Sequence, residues 1–519
     1  MKAFLMYPDR DFNPAGELPS NEPDLATDLE LGPLVEAMAD GDAFLLAVAR
    51  QGIHSGLASP AEITYRQHVL ADCVAHPVAV RDLYNLAVET ISAERQVFGF
   101  LFRESPDTIL RRSRQLMALY VKSLHRLADL AAKHAPGFRS EGFTRFFAML
   151  AGELTDGYFA EMEAHLADLD FRRGALVSAR LGKGNKGAGY VLRRHPAGRG
   201  WRDRLPAMNR ATFGFTVAER DEAGLRALSE LTSRGVNDTA NSLAQSTDHI
   251  KSFYQLLRAE LGFYLGCLNL RERLTASGQP VCYPVPAGMH GDRLSARGLY
   301  DAGLALALGA GTEGADGADS ADDGVVGNDV AADGRQLIMI TGANQGGKST
   351  FLRAVGQAQL MMQAGMFVPA QSFAGSVCSG VFTHFKREED ATMEKGKLDE
   401  ELDRMSAITD RIASGGLLLC NESFASTNER EGSEIARQII RALTEAGIRI
   451  VFVTHLYDLA GYCYAANTGK ALFLRAQRRP DGQRTFKLPE GEPLSTSYGE
   501  DLYLQVFSPQ YEDARAAGA

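Results

Sequence analysis

The residues best suited to chemistry form a glycine-rich run that follows a short apolar segment. The run TGANQGGKST covers residues 341–350 and matches G-x-x-x-x-G-K-[ST], with Gly342, Gly347, Lys348 and Ser349 in the fixed places. Glycines let backbone N–H groups point at phosphate oxygens, and the positive end of a following helix adds to the attraction. The spacing predicts a loop that binds ATP, in which Lys348 reaches the β- and γ-phosphates as a catalytic residue. The predicted contact residues are Gly342, Ala343, Asn344, Gln345, Gly346, Gly347, Lys348, Ser349 and Thr350.

Two later apolar segments each end in polar residues that could act on a bound triphosphate. Residues 416–420 (GLLLC) precede Asn421 and Glu422, and residues 448–453 (IRIVFV) are followed two positions later by His455. We expect Glu422 to be the general base or the carboxylate that positions the attacking water, and His455 to hydrogen-bond the γ-phosphate. A helix N-cap role for Glu422 and a buried structural role for His455 are the alternatives.

Asn421 departs from the usual pattern, in which an Asp at this position orients the metal. An amide keeps an acceptor oxygen but supplies no negative charge. We therefore predict that Mg²⁺ binds the Ser349 hydroxyl, with Asn421 as an uncharged second ligand and with lowered affinity for the metal.

A second candidate site is a basic segment between Arg172 and Arg210. It contains eleven Lys or Arg residues and a single acid, Asp203, although the whole chain has a net charge of −10. Such a concentration of charge is typical of contacts with nucleic-acid phosphates, and a solvated loop is the alternative. The candidate nucleic-acid contacts are Arg172, Arg173, Arg180, Lys183, Lys186, Arg193, Arg194, Arg199 and Arg202.

Composition limits the class of protein. At 519 residues the chain is long enough for two or three domains, and 45% hydrophobic with 23% charged residues is typical of soluble globular proteins. The six cysteines form no C-x-x-C pair, which argues against a structural zinc site or a disulfide framework and favours a reducing compartment. Residues 1–12 contain no signal-peptide core, and no stretch of 18 apolar residues occurs. We therefore predict a cytoplasmic protein without a membrane partner.

The spacing of apolar residues predicts the elements that position these sites. In residues 34–170 apolar side chains recur at intervals of three and four, as along Leu116, Tyr120, Leu124, Leu127 and Leu130, which is typical of helices. Two strands, residues 175–181 and 190–193, are predicted around a Gly-rich turn.

A long helix and an α/β region are predicted further along the chain. No Pro occurs between Asn237 and Leu274, and the helical spacing there predicts a rod of about 50 Å. Residues 309–324 are acidic and Gly-rich, which is typical of a flexible surface loop. Beyond them short apolar segments alternate with helical ones, as in a parallel α/β sheet.

The phosphate loop is followed by further motifs within residues 325–506. These are AGMFVPAQ (364–371), VFTHF (381–385), NESFASTNEREGSEIA (421–436), VFVTHLYDLA (451–460) and FKLPEGEPLSTSYG (486–499). In residues, order and spacing they resemble the MutS family of DNA mismatch-repair ATPases. VPAQ and SYG have no place in generic P-loop proteins, so the resemblance is specific.

The resemblance implies a multidomain fold. A mostly α-helical core and lever region with a small β insertion would precede a C-terminal α/β P-loop NTPase domain of the ABC/MutS type. The predicted organisation is an N-terminal segment (1–33), a helical core (34–170), a basic β-rich insertion (171–220), long lever helices (221–308), an acidic Gly-rich loop (309–324) and a MutS-type ATPase domain (325–519).

The resemblance also assigns roles and partners. It implies that residues 342–350 bind ATP with Mg²⁺ at Ser349, that Glu422 activates water and that His455 senses the γ-phosphate. Residues 426–428 lie where the family's segment crosses to a partner subunit, which implies a homodimer formed through the ATPase domains. In residues 396–405 Gly396 and Lys397 replace a Ser/Thr-rich stretch of the family that reaches the partner's nucleotide.

Family members that recognise mismatches carry an additional N-terminal domain with a Phe-x-Glu motif. Phe159-Ala160-Glu161 matches that pattern but lies in a predicted amphipathic helix. An aromatic side chain that inserts between stacked bases must instead lie at an exposed tip. We therefore expect a short form that lacks the N-terminal mismatch-recognition domain.

Two functions follow as hypotheses. The first is a DNA-binding ATPase that couples ATP binding and hydrolysis to clamp movement on DNA, in mismatch repair or related repair and recombination, and that recognises DNA structure rather than sequence. The alternative is a nucleotide-gated interaction protein with weak hydrolysis and no direct mismatch recognition, favoured by Asn421. An SMC- or transporter-like ATPase is disfavoured because the chain has no LSGGQ signature and no membrane segment.

Overall fold

The computed structural model describes most of the chain, which divides into two compact units. The described residues are 1–97, 105–171, 174–194, 214, 216–218, 220–289, 291–311, 324–343, 345–387, 396–479 and 484–494. Unit 1 consists of Met1–Leu5, Asp9–Phe12 and His76–Leu261, and unit 2 of Met6–Pro8, Asn13–Ala75 and Gly262–Ala519. The predicted phosphate loop therefore belongs to unit 2 and the basic segment to unit 1.

Four helices form the first part of unit 2. They are α1 (Glu22–Asp28), α2 (Gly32–Ala39), α3 (Ala43–His54) and α4 (Pro60–Ala75). Asp42 caps α3, because its carboxylate accepts hydrogen bonds from backbone N–H groups of the first turn. On α4 the fully buried Arg66 donates hydrogen bonds to the carbonyl oxygens of Met6 and Ala364. This guanidinium thus ties α4 to a distant part of the same unit.

Unit 1 contains the predicted helical core and a hairpin. Its elements are α5 (Pro77–Val97), α6 (Pro106–His134), α7 (Glu141–Glu153), α8 (Asp156–Asp168), β1 (Leu176–Leu181), β2 (Gly187–Arg193) and most of α9 (Glu222–Ala276). In α6 Leu116, Tyr120, Leu124 and Leu127 are buried as predicted, whereas Leu130 is half-buried. The apolar periodicity therefore identified the core-facing side of this helix.

The hairpin of β1 and β2 confirms the two predicted strands. The strands are antiparallel, and their pairing runs from Leu176 with Arg193 to Leu181 with Gly187. The second strand begins three residues earlier than predicted. Gly184 has a φ of 68°, which closes the turn within a few residues and leaves Gly187 free to pair.

The predicted long helix is α9, and it is longer than expected. It has 55 residues, Glu222–Ala276, which at 1.5 Å per residue is about 80 Å. It begins before the Pro-free stretch from Asn237 to Leu274, and Asp221 caps it, with its carboxylate accepting the Gly224 N–H at 2.9 Å. Residues 222–261 belong to unit 1 and residues 262–276 to unit 2.

The helical prediction for residues 221–308 is wrong at residues 285–299. Two strands lie there, β3 (Val285–Ala287) and β4 (Leu294–Leu299), before α10 (Ala302–Gly311). Gly278, with a φ of 73°, follows the end of α9. Pro280, Pro284 and Pro286 lack the backbone N–H that a helix needs.

The rest of unit 2 alternates strands and helices, as predicted. Its elements are β5 (Asn328–Ala331), β6 (Leu337–Thr341), α11 (Lys348–Gln363), β7 (Ser372–Ser376), β8 (Val381–Phe385), α12 (Lys397–Thr409), β9 (Leu417–Asn421), α13 (Glu429–Glu445), β10 (Arg449–Val453), α14 (Tyr457–Ala465) and β11 (Ala471–Arg475). One sheet is parallel, in the order β11-β6-β10-β9-β8, and the other is mixed, in the order β3-β7-β4-β5. The carboxyl ends of the neighbouring strands β6, β10 and β9 therefore lie at one edge of the parallel sheet.

Apolar packing holds this edge in place. Met339, Leu418, Phe452 and Phe473, from four different strands, are all nearly inaccessible and pack into one cluster with Ile440 of α13. Burial of such side chains stabilises by about 1.5–3 kcal/mol each. The polar residues that follow these strands therefore extend from a rigid base.

Three predicted features lie wholly or partly outside the described residues: positions 312–323 of the acidic loop, the SYG motif at 497–499 and much of the basic segment. Across the described ranges, no helix combines the length and apolar character needed to cross a bilayer.

Candidate functional site

The predicted phosphate loop connects β6 to α11. All five residues of β6 are buried, and Gly342 follows with a φ of 112°. Gly347, with a φ of 84°, is the N-cap of α11. A Cβ at Gly342 would lie 2.9 Å from the Cβ of Ala476, and one at Gly346 would lie 2.7 Å from it. Glycine is therefore required here both by backbone conformation and by space.

Lys348, the first residue of α11, is buried beside this loop. Its amine donates hydrogen bonds to the carbonyl oxygens of Gly342 and Ala343, each at 2.8 Å. Burial lowers the pKa of the amine to about 8, an effect that the negative charge of Glu422 partly opposes. The side chain thus holds the loop in its curved form.

Ser349 and Asn421 meet at the carboxyl end of β9. The Ser349 hydroxyl donates a hydrogen bond to Oδ1 of Asn421 at 3.0 Å. Hydroxyl and amide oxygens are hard donors that suit Mg²⁺, so this pair fits the metal in chemistry. The pair itself carries no negative charge.

Glu422 and His455 form the polar contact between the ends of β9 and β10. Nε2 of His455 lies 2.8 Å from a carboxylate oxygen of Glu422. This hydrogen bond lowers the pKa of the Glu422 carboxyl, burial raises it, and the charges of His455, Lys348 and Lys386 lower it further. Glu422 itself has a φ of 55°, and its N–H donates to the carbonyl of Val453. An uncommon backbone conformation therefore presents this carboxylate.

A cavity of about 410 Å³ is lined by Lys348, Ser349 and Glu422, whereas Gly342 and His455 line a separate cavity of about 170 Å³. The lining of the larger cavity includes the loop residues and other polar residues: Tyr300, Asp301, Asn328, Gln345, Gly346, Gly347, Lys348, Ser349, Thr350 and Glu422. Its apolar lining includes Leu299, Leu304, Leu308, Val325, Val326 and Phe486. A volume of this size is typical of sites for small organic ligands. The structure thus brings together the residues predicted for a triphosphate, and Asn344 alone among the loop residues lies outside the described ranges.

The apolar end of the cavity was missed by the sequence interpretation. Its residues come from α10 and β4, from the segment before β5 and from position 486, which are far apart in the chain. Each is an ordinary apolar residue with no pattern of its own. The one signal in the sequence was Phe486, which is the first residue of the late motif FKLPEGEPLSTSYG.

Two family comparisons cover most of the elements described above. The sequence model of the MutS2 N-terminal domain matches residues 58–277, and that of MutS domain V matches residues 338–510. The chain belongs to the MutS family. Within this MutS-family chain, the first match contains the hairpin and α9, and the second contains the phosphate loop, Asn421, Glu422 and His455.

Individual relatives match over shorter stretches. The chain is 35% identical over 133 residues to the "DNA mismatch repair protein MutS" of Thermotoga petrophila, which is 25% of this chain and 17% of that protein. It is 33% identical over 174 residues to the "Endonuclease MutS2" of Lacticaseibacillus casei, 33% of this chain and 22% of the relative. It is 29% identical over 236 residues to the "DNA mismatch repair protein MutS" of Myxococcus xanthus, which is 41% of this chain and 26% of that protein. The match thus spans about a quarter or less of each relative's length.

The segment that the MutS resemblance places at a partner subunit makes contacts within its own chain. The Ser426 hydroxyl donates to the Glu401 carboxylate at 2.8 Å, and Thr427 donates to Glu431 at 2.8 Å. Asn428 caps α13 by accepting the Glu431 N–H at 3.0 Å. In the neighbouring region Gly396 is the N-cap of α12, and Lys397 is its first residue.

The basic segment lies in unit 1, and five of its nine candidate residues are described. Arg180, Lys183, Lys186, Arg193 and Arg194 are all exposed. Arg193 donates a hydrogen bond to the Ser178 hydroxyl, and Arg194 pairs with Asp168 at 2.7 Å. The other candidates lie outside the described residues: Arg172, Arg173, Arg199 and Arg202. The hairpin thus presents a cluster of exposed positive charge.

Proposed function

We propose that this chain is an ATP-dependent, DNA-binding protein of the MutS family, in which unit 2 binds and hydrolyses ATP. The observation that carries the proposal is that Lys348, Ser349 and Glu422 line one cavity at the carboxyl edge of the parallel sheet. Asn421 is hydrogen-bonded to Ser349, and His455 to Glu422. The order of that sheet supports assigning a P-loop NTPase fold to unit 2, because its central strands bring all three polar ends together.

The cavity would hold a nucleotide in one orientation, with the phosphates and the base against different residues. The phosphates would lie against the loop, where Lys348 supplies charge and residues 345–350 supply backbone N–H groups. The base would lie at the apolar end, against Leu304, Val326 and Phe486. The lining thus offers charged and polar groups for the phosphates and apolar groups for the base.

Glu422 would act on water at the outermost phosphate. Its lowered pKa keeps the carboxylate ionised at neutral pH, so that it accepts a hydrogen bond from the attacking water and orients it. His455 holds this carboxylate through the 2.8 Å contact and would interact with the γ-phosphate. Catalysis would then consist mainly of positioning and charge neutralisation.

Mg²⁺ would be held by Ser349 and Asn421, whose oxygens are suitable in type. The ion would supply positive charge to the phosphate oxygens. Because Asn421 is uncharged, the protein contributes less to metal affinity here than a carboxylate would.

We propose DNA as the partner of unit 1, on the strength of the exposed cations of the hairpin and of family membership. Phosphate contacts of this kind provide affinity without reading sequence, so DNA structure would be the determinant. The 55-residue α9 supports a role for helix movement in a clamp. Assembly as a homodimer through the ATPase domains, and action in mismatch repair or related repair and recombination, belong to the same proposal.

Steady-state ATP hydrolysis with Glu422→Gln tests the enzymatic part. The amide keeps the shape of the Glu422 side chain but has no negative charge with which to orient the attacking water. We therefore expect kcat to fall by about a hundredfold or more, with ATP affinity retained. Glu434→Gln, on the exposed surface of α13, is the matched control and should be unchanged. A wild-type rate no faster than that of Glu422→Gln would contradict hydrolysis and leave only nucleotide binding.

A further inference from the structure

A fully buried histidine lies next to the strand that carries the candidate site. His384 is on β8, where its register partner on β9 is Cys420, two residues before Glu422. Its Nδ1 is 2.7 Å from the Ser423 hydroxyl oxygen, and its Nε2 is 3.0 Å from the carbonyl oxygen of Glu401 on α12. Both ring nitrogens therefore have partners.

These partners fix the tautomer of the ring. A carbonyl oxygen only accepts, so Nε2 must carry a hydrogen and donate it to Glu401. Burial, with a smaller contribution from the charge of Arg404, lowers the pKa of the imidazole to about 4, so the ring is neutral at pH 7. Nδ1 then has no hydrogen and accepts from the Ser423 hydroxyl, whose single hydrogen is shared with the backbone carbonyl oxygen of His384 at 2.8 Å.

Ser423 lies between two residues in an uncommon conformation. Glu422 and Phe424 have φ values of 55° and 63°, and neither is glycine. Such residues persist only where their surroundings hold them. His384 contacts this turn three times: its Nδ1 and its backbone carbonyl oxygen both bond the Ser423 hydroxyl, and its ring stacks on Phe424 with 5.4 Å between centroids.

The other side of the imidazole is anchored on α12. The Glu401 carboxylate accepts a hydrogen bond from Ser426, three residues beyond Ser423. Arg404, one turn along α12, donates to the carbonyl of Phe385 at 2.8 Å. The ring thus connects a well-held helix to the turn that presents Glu422.

We propose that His384 is a positioning residue for Glu422, because its Nδ1 accepts from Ser423 and holds the strained turn so that the Glu422 carboxylate meets His455. The consequence for rate rests on the proposed ATPase function. The consequence for the turn does not.

Two substitutions separate the two sides of the ring. His384→Asn places an amide near Nδ1 and so retains an acceptor for Ser423, while it loses the bond to Glu401. His384→Gln places its amide near Nε2 and so retains a donor for Glu401, while it loses the ring acceptor and leaves Ser423 only the backbone carbonyl oxygen of residue 384. His54→Asn is the matched control, since His54 is another buried histidine of unit 2, paired with Glu22 rather than with this turn.

Hydrogen exchange of the intact protein, measured by mass spectrometry on peptides covering residues 421–428, reads the turn without nucleotide. His384→Gln should exchange at least tenfold faster there, with β6 unchanged, whereas His384→Asn and His54→Asn should match the wild type. ATP turnover should follow the same order, with kcat lowered about tenfold in His384→Gln and KM within twofold.

Unchanged exchange in His384→Gln, or equal acceleration in His54→Asn, would overturn the proposal. So would a rate loss in His384→Gln that appears wholly in KM. Accelerated exchange in His384→Gln together with a wild type that does not hydrolyse ATP would support the positioning role and reject the proposed ATPase function.

Discussion

The loop of unit 2 and the basic hairpin of unit 1 are both proposed to bind phosphate groups, and they are built in opposite ways. At the loop the cation is Lys348, which is buried and donates two hydrogen bonds to the carbonyl oxygens of Gly342 and Ala343. On the hairpin the cations are exposed, and the strands have little burial. Chemistry at one phosphorus needs fixed distances, whereas attraction to a phosphate backbone needs only charge. Four predictions test that contrast.

The largest effect is expected at Lys348. Replacing it with Met removes the charge and both hydrogen bonds to the loop, so kcat/KM for ATP should fall by about a hundredfold or more. Steady-state kinetics and equilibrium ATP binding measure this. Lys470→Met, at an exposed lysine just before β11, is the control. Comparable losses in both variants would mean that general charge, rather than the buried amine, matters.

Acid should destabilise unit 2 through His384. The folded pKa of about 4 lies below the ordinary value of 6.5, so between these values the unfolded chain binds more protons than the folded one. Stability is therefore complete above pH 6.5 and is lost as the pH falls toward 4, by about 3 kcal/mol for this group. Urea unfolding at pH 7 and pH 4.5 measures the loss. In His384→Gln the free energy of unfolding should change less between the two pH values, by this amount. An identical pH dependence in both proteins would contradict the lowered pKa of His384.

Neutralising the hairpin should weaken DNA binding without affecting ATP hydrolysis measured without DNA. With Arg180, Lys183, Lys186 and Arg193 all changed to Gln, affinity at low salt should fall by about thirtyfold, and the salt dependence should become shallower by about one unit per lost phosphate contact. Binding to linear, branched and mismatched duplexes across a salt series measures both. Unchanged affinity would remove the hairpin from DNA binding.

The smallest effect is expected at Asn421. An Asp there adds a charge beside Ser349, so half-saturation with Mg²⁺ in ATP binding should shift to about fivefold lower concentration. A Mg²⁺ titration measures the shift, with ATP binding in excess chelator as the reference. A shift to higher Mg²⁺ concentration would show that the amide is preferred at this position.

The sequence predicted the polar end of the site because its signals are local. The order strand, glycine-rich loop, helix is encoded within residues 336–363, and Asn421, Glu422 and His455 each follow a recognisable buried strand. Parallel strands then bring such ends together whatever lies between them. The domain ranges and the roles of the site residues stay predictions.

The parts that could not be predicted depend on tertiary packing. Leu304, Val326 and Phe486 meet only after folding, so their spacing along the chain has no meaning. The prediction of helices over residues 221–308 is wrong at residues 285–299, where β3 and β4 lie, because three prolines interrupt the helical pattern. His384 looked like part of a motif, and only its two partners reveal what it does.

The bonds of Lys348 have a consequence for substitution by arginine. An ammonium group has three hydrogens, and two of them go to the carbonyls of Gly342 and Ala343. A single hydrogen is then available to a ligand. The Nζ atom of Lys348 would therefore both hold the loop and donate to the ligand. A planar guanidinium has the same charge but cannot aim its hydrogens in three directions from one nitrogen, which makes the shape of the cation as important as its sign.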